Sequence, residues 1–211
     1  MISQRTDDDG VWWWPANDTK CWDGLHRWID VPDGVMEYVQ DKNVMVQAGG
    51  NSGLYVKKYA KKFKTVYTFE PFPELFECLV RNVTEPNVIK IQACVGNSHT
   101  LVNMEEHFEG DAGGGHVGTG TSRGIVPTFL IDDLNLPVCN LIHLDIEGYE
   151  PFALEGARET ITRCKPIIAI ENCEKWLNRY GKGLGDIEDI LGSLGYTYIG
   201  SVKGDRVYSC I

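Results

Sequence analysis

One segment constrains the fold of this chain more than any other. Val44-Met45-Val46-Gln47-Ala48 is an apolar run that stops at Gly49-Gly50-Asn51-Ser52-Gly53. A helical pattern follows from Leu54 to Phe63, and a second apolar run, Thr65 to Phe69, ends on Glu70. Glycines let the backbone approach a ligand closely, and a helix N-terminus offers unpaired N–H groups. An acid closing the second strand can accept hydrogen bonds from both hydroxyls of a ribose. Strand, glycine turn, helix, strand and terminal acid therefore predict a nucleoside-cofactor site on a parallel sheet. The turn lacks the G-x-G-x-x-G spacing of a dinucleotide site, and it has neither the phosphate-binding G-x-x-x-x-G-K-[ST] pattern nor a lysine. The expected ligand is a nucleoside with little phosphate charge, and S-adenosylmethionine fits that description.

After Asn43 apolar runs alternate with helical patterns. Strands are predicted over 44–48, 65–69, 88–93, 140–145 and 167–171, and helices over 53–63, 73–82, 150–163 and 184–194. Thr100 to Met104 reads as a short extra strand, and Tyr196–Val202 with Arg206–Ile211, joined by Lys203-Gly204-Asp205, as a closing hairpin. The alternation predicts an α/β fold, a mostly parallel sheet with helices on both faces. A chain of 211 residues, 43% apolar, is long enough for one such domain. Two regions stand outside the pattern. The segment Gly110 to Gly124 is glycine-rich without apolar periodicity and reads as a mobile loop. The first 40 residues hold Trp12, Trp13, Trp14, Trp22 and Trp28, five of the six tryptophans. Residues 1–42 are thus expected to be a Trp-rich extension packed on a core domain of 43–211. Three adjacent indoles cannot all face one core. The extension either folds over the carboxyl edge of the sheet beside an acceptor pocket, or packs on the sheet edge or a second subunit.

The net charge of -10 argues against non-specific nucleic-acid binding, which depends on Lys and Arg neutralising phosphates. Lys57, Lys58, Lys61, Lys62 and Lys64 cluster on one helix and read as a solvated face. The seven cysteines include no C-x-x-C pair, and Cys94, Cys139 and Cys210 lie in apolar runs, as expected of reduced thiols in a reducing compartment. The N-terminus carries Asp7-Asp8-Asp9 where a signal peptide is apolar, and no apolar stretch approaches the length of a membrane span. A cytoplasmic location is expected.

A second acidic feature lies further on. Leu141-Ile142-His143-Leu144-Asp145-Ile146-Glu147-Gly148-Tyr149-Glu150 is an apolar strand ending in three acids, and the run Ile167 to Ile170 ends on Glu171. Ligands of open α/β sheets bind beyond the carboxyl ends of the strands, so Asp145, Glu147 and Glu171 should stand near the glycine turn. Like charges gathered at one rim repel, which stability alone would not select. Glu147 and Glu150 also have a capping reading at the start of the next helix. His143 with Asp145 suggests an iron site of two histidines and a carboxylate, but His26, His99, His107 and His116 all lie upstream, so His143 reads as a satisfied core residue. A divalent cation on Asp145 and Glu147 is compatible with their chemistry but not expected.

Taken in order, Val46–Gly53, Thr68-Phe69-Glu70-Pro71, Ile131-Asp132-Asp133-Leu134 and Leu144–Glu150 with Ala153-Leu154-Glu155-Gly156-Ala157 resemble the FkbM-type methyltransferases, over about residues 43 to 200. The resemblance implies a class I, Rossmann-like fold that uses S-adenosylmethionine and usually methylates a hydroxyl oxygen of a sugar or polyketide. The cofactor-binding residues are then Gln47, Ala48, Gly49, Gly50, Asn51, Ser52, Gly53, Glu70, Pro71 and Phe72. Asp145 is the first choice for a base, Glu147 the second, and Glu171 would orient the acceptor. Gln47 stands where such enzymes often carry an acid, and His143 where the family commonly has Lys. The expected partner is a small-molecule or glycan acceptor. The competing reading is a catalytically weak sugar-binding or assembly protein on the same fold, since tryptophan faces stack on sugar rings. A nucleotide-sugar oxidoreductase is disfavoured by the missing dinucleotide fingerprint.

Overall fold

The structure is a computed structural model that describes residues 1–106, 110–120 and 125–210, with the backbone alone for Leu25 and His26. Thr121 to Gly124 at the end of the glycine-rich segment, His107 and the hairpin's last residue, Ile211, lie outside the described residues.

The chain opens with β1 (Ile2–Asp7) and β2 (Gly10–Pro15), an antiparallel hairpin, then short helices α1 (Cys21–Trp28) and α2 (Val31–Met36). The alternating part runs β3 (Val44–Ala48), α3 (Leu54–Ala60), β4 (Thr65–Phe69), α4 (Pro73–Asn82) and β5 (Val88–Ile91). Five short strands follow: β6 (Cys94–Val95), β7 (Leu101–Val102), β8 (Met104–Glu106), β9 (Gly115–Val117) and β10 (Val126–Phe129). A 3-10 turn (Ile131–Leu134) leads to β11 (Leu141–Leu144), α5 (Glu150–Glu155), α6 (Arg158–Cys164) and β12 (Ile167–Glu171). The chain ends with α7 (Glu174–Asn178), α8 (Leu184–Ser193), β13 (Tyr196–Val202) and β14 (Asp205–Cys210).

Seven strands form the main sheet in the order β13-β14-β12-β11-β3-β4-β5. β12, β11, β3, β4 and β5 are parallel neighbours, and β14 runs antiparallel to both β12 and β13. The closing hairpin thus places its second strand inside the sheet and its first on the edge. The strands buried on both faces read as continuous apolar runs, as parallel strands do. Val46, Ala48, Ile142, Leu144, Ile168 and Ile170 face a core closed by α5, α6, α7 and α8. Met45, Val66, Leu141 and Ala169 face the other core, closed by α2, α3, α4 and β2.

The predicted helix over 150–163 is two helices. A Cβ at Gly156 would run into the Gly96 carbonyl oxygen, so the chain breaks there to let the two backbones approach. The predicted strand at 100–104 splits into β7, which pairs with β10, and β8, which pairs with β9. The glycine-rich segment is not the structureless loop its composition suggested: β9 lies within it, and His116 and Val117 are buried.

Candidate active site

The strand order reverses between β3 and β11, and both cores leave a crevice beyond their carboxyl ends, where ligands of open sheets bind. The glycine turn forms its floor. The N–H groups of Gly49 and Gly50 both donate to the Phe69 carbonyl, at 3.1 and 2.8 Å, so the turn curls across the end of β4. Gly49 has φ +87°, and a Cβ there would collide with the Asp145 carbonyl oxygen of the neighbouring strand. Only glycine lets the two strand ends come together. Glu70, 4% exposed, clamps the turn: its carboxylate accepts from Asn51 N at 2.7 Å and Phe72 N at 2.9 Å. Burial pushes the Glu70 carboxyl up to about 7, against those two hydrogen bonds.

The crevice widens into a cavity of about 410 Å³. Of the expected cofactor residues, Ala48, Gly49, Gly50, Asn51, Glu70, Pro71 and Phe72 line it, while Gln47, Ser52 and Gly53 stand behind it. Gln47 is fully buried: its amide donates to the Gly49 carbonyl at 2.7 Å and accepts from the Thr68 hydroxyl at 2.6 Å. It supports the turn from beneath instead of reaching into the cavity. Ser52 is held through its carbonyl by Asn82 Nδ2 at 2.7 Å.

On the facing wall, Asp145, Glu147 and Glu171 come together, each offering a carboxylate oxygen within 4.8 Å of the others. They arrive from two strand ends and one turn. Asp145 N bonds back to the Ala48 carbonyl at 3.1 Å, and Glu147 takes a left-handed φ of +58° that turns its side chain inward. Gly148 follows at φ +99°, where a Cβ would collide with the Trp176 carbonyl. Burial raises all three carboxyls: Asp145 further by the charge of Asp205, Glu147 by that of Asp145, and Glu171 by those of Asp145 and Glu147. Glu150, the first residue of α5, is 1% exposed and does not line the cavity; its carboxylate accepts from Ile146 N and Gly148 N at 3.0 and 3.3 Å and so braces the turn before the helix instead of capping the helix N–H groups.

His143 sits on the opposite face of β11 from the core residues Ile142 and Leu144, sealed from solvent. Its Nδ1 meets the Tyr59 hydroxyl at 2.7 Å and its Nε2 meets Asp205 Oδ2 at 2.7 Å. Both ring nitrogens are therefore occupied away from the three carboxylates. Asp205 itself lines the cavity, opposite Glu171 on the β12–β14 ladder. Sequence reading missed it, because its place depends on the inserted strand.

The N-terminal segment contributes unevenly. Trp12 and Trp14 are 5% and 0% exposed in the core beside α3 and α4, and Arg81 stacks over the Trp13 ring at 4.4 Å. None of the three lines the cavity, whereas Trp28, from α1, does. Asp18 ties the segment to the glycine-rich stretch, accepting from Trp14 Nε1 at 2.7 Å, Cys21 N at 2.9 Å and Ala112 N at 3.3 Å. The stretch 111–117 then forms the roof, and a Cβ at Gly115 would run into the Phe72 ring. Trp176, Tyr149 and Tyr55 complete the apolar walls.

A sheet with this order, its antiparallel strand inserted next to the edge and its crevice at the reversal, is the class I methyltransferase fold. The Methyltransferase FkbM domain matches residues 47–198, most of the chain, and the chain belongs to that family. Its structure is similar to that of a methyltransferase FkbM from Methylobacillus flagellatus KT, with a TM-score of 0.54 and 20% identity over 82% of this chain. The chain spans 45% of the length of that protein. It is also similar to M. jannaschii TYW2, solved in complex with AdoMet, with TM-score 0.52 and 13% identity over 100% of this chain and 87% of that one. A precorrin-6y C5,15-methyltransferase from Geobacter metallireducens GS-15 has TM-score 0.51 and 12% identity, over 86% of this chain and 87% of the other. No curated protein sequence matches the chain.

Proposed function

We propose that this protein transfers a methyl group from S-adenosylmethionine to a hydroxyl oxygen of a sugar or a related small acceptor. The observation that carries the reading is the meeting, in one cavity, of a glycine turn clamped by Glu70 and a wall of carboxylates. In this reading Glu70 accepts hydrogen bonds from the ribose hydroxyls, and Gly49, Gly50 and Asn51 lie along the cofactor with Ala48, Pro71 and Phe72. Gln47, Ser52 and Gly53 hold the turn's shape.

The cofactor supplies the methyl, and the protein supplies an in-line approach for the acceptor oxygen. A sugar hydroxyl is a weak nucleophile, and its proton passes to a carboxylate as the O–CH₃ bond forms and the S–CH₃ bond breaks. Asp145 is the first candidate for that acceptor because it belongs to the strand end that touches the glycine turn. Glu147 stands second, and Glu171 orients the acceptor. The acidic wall also favours the cationic sulfonium over the neutral product.

Residues 43–211 form the catalytic domain in this reading, and residues 1–42 are an extension on it that lends Trp28 to the acceptor side of the cavity. Among the described residues no helix is long and apolar enough to cross a membrane, which accords with action on a dissolved acceptor in the cytoplasm. The experiment is incubation of cell extracts with purified protein and isotopically labelled S-adenosylmethionine, followed by mass spectrometry. Label on a hydroxyl oxygen of a sugar-bearing compound is expected, and Asp145→Asn should lower its incorporation by roughly 10²–10⁴-fold. Label found only on nitrogen or carbon, or none at all, overturns the reading.

A further inference from the structure

The three carboxylates on the cavity wall have no hydrogen-bond donor. Among the described residues, no side-chain or backbone N–H or O–H bonds to the carboxyl group of Asp145, Glu147 or Glu171; other buried oxygens without a partner, such as Glu85 Oε2 and Tyr208 OH, are not gathered with further acids. Arg179 donates to the main-chain carbonyl of Glu147 at 3.0 Å and meets its carboxylate through charge alone, without a hydrogen bond. All three side chains are half-buried. The Oε2 atoms of Glu171 and Glu147 are shut off from solvent and without a partner. A buried carboxylate oxygen without a donor costs about 1–3 kcal/mol, and more if charged. Two such atoms beside a third acid gain most from positive charge placed between them.

The spacing fits one. Oxygen ligands stand about 2.0–2.1 Å from Mg²⁺ and about 2.3–2.6 Å from Ca²⁺, so pairs of ligands around such an ion lie roughly 3–5 Å apart. The three oxygens here all lie within 4.8 Å of one another. Oxygen-only ligands of this kind suit hard divalent cations. The neighbouring Asp205 is taken by His143 at 2.7 Å and Glu150 by two backbone N–H groups, so the set that remains for an ion is these three.

We propose that Asp145, Glu147 and Glu171 bind one hard divalent cation, Mg²⁺ or Mn²⁺, on the acceptor wall of the cavity. The inference rests on the methyl-transfer reading for its purpose: an ion there has open positions for oxygens of the acceptor, and a hydroxyl on a cation loses its proton more readily. Its existence does not depend on that reading. Glu171, at the end of β12, adds a third ligand to the Asp145 and Glu147 pair that the sequence offered for a cation without making one expected.

Titration of Mn²⁺ into the metal-stripped full chain, followed by electron paramagnetic resonance and calorimetry, tests the site. One saturable Mn²⁺ per chain, displaced by Mg²⁺, is expected. Glu171→Gln and Glu147→Gln should each weaken it by at least about 10-fold. Glu70→Gln, on the other wall, should leave it unchanged. Absence of saturable Mn²⁺ binding up to about 1 mM, with or without S-adenosylmethionine, overturns the site and means that the three acids are kept neutral by protons instead. Mn²⁺ affinity unaltered in folded Glu171→Gln and Glu147→Gln also overturns it. Where one of these variants fails to fold, the other and the wild-type titration decide. S-adenosylmethionine affinity measured in metal-free buffer tests the methyl-transfer reading separately.

Discussion

At the scale of single residues, the cofactor side of the cavity depends on two groups with different duties. Glu70 joins the end of β4 to the glycine turn through Asn51 N and Phe72 N. Glu70→Ala removes both the clamp and the acceptor for a ribose hydroxyl, and S-adenosylmethionine affinity should fall by ~1.5–3 kcal/mol in calorimetry. Unchanged affinity would remove Glu70 from the cofactor. Gly49 has a purely steric duty. With φ at +87° and the Asp145 carbonyl against it, Gly49→Ala must strain the turn and push β3 away from β11. A loss of about 3 kcal/mol or more in urea denaturation is expected, with cofactor binding abolished. Both residues were legible from the order of residue types alone. The duty of Gln47 was not, because an amide at that position can point into the cavity or under the turn, and the Thr68 hydroxyl and Gly49 carbonyl decide which.

At the scale of elements, the three consecutive tryptophans behave as a strand requires. Successive side chains alternate across β2, so Trp12 and Trp14 go into the core and Trp13 goes out beneath Arg81. The hairpin is docked on α4 by Asn82, which accepts from Trp13 N at 2.7 Å and donates to the Trp13 carbonyl at 2.8 Å. The same Asn82 holds Ser52. The hairpin is therefore coupled to the glycine turn through stability, not through contact with an acceptor. Trp14→Ala should cost about 3–5 kcal/mol of unfolding free energy, and Trp13→Ala much less. Removing residues 1–14 should lower the melting temperature sharply; a truncated chain that melts like the full one would show the hairpin to be dispensable. The predicted helix over 150–163 was misread for a related reason: its periodicity continues through Gly156, and only the approach of Gly96 breaks it.

At the scale of the whole molecule, buried acids set how stability responds to pH. Burial holds the carboxyls of Glu70 and Glu150 at about 7 in the folded chain, against an ordinary value of 4.5. Between about pH 4.5 and 7 the folded state keeps protons that the unfolded state has released, so this contribution is present at low pH and lost as pH rises through 7. Buried His116, held below its ordinary value, acts in the opposite sense, but it is one group against several raised acids. The ligand-free protein should melt at a lower temperature at pH 8 than at about pH 5.5 in scanning calorimetry. A melting temperature that climbs steadily over that range would contradict the burial of these acids. The parallel core strands, the helices α3, α4 and α8, the glycine turn and the acids at the strand ends were legible in the sequence, because apolar periodicity and turn chemistry are local and repeat at fixed spacing. Tertiary structure alone decided that β14 inserts between β12 and β13 and brings Asp205 to the cavity, and that the glycine-rich stretch becomes its roof. Those outcomes rest on contacts between segments far apart in the chain, where the free energy comes from burial and fit between surfaces and no single segment carries a record of its partner.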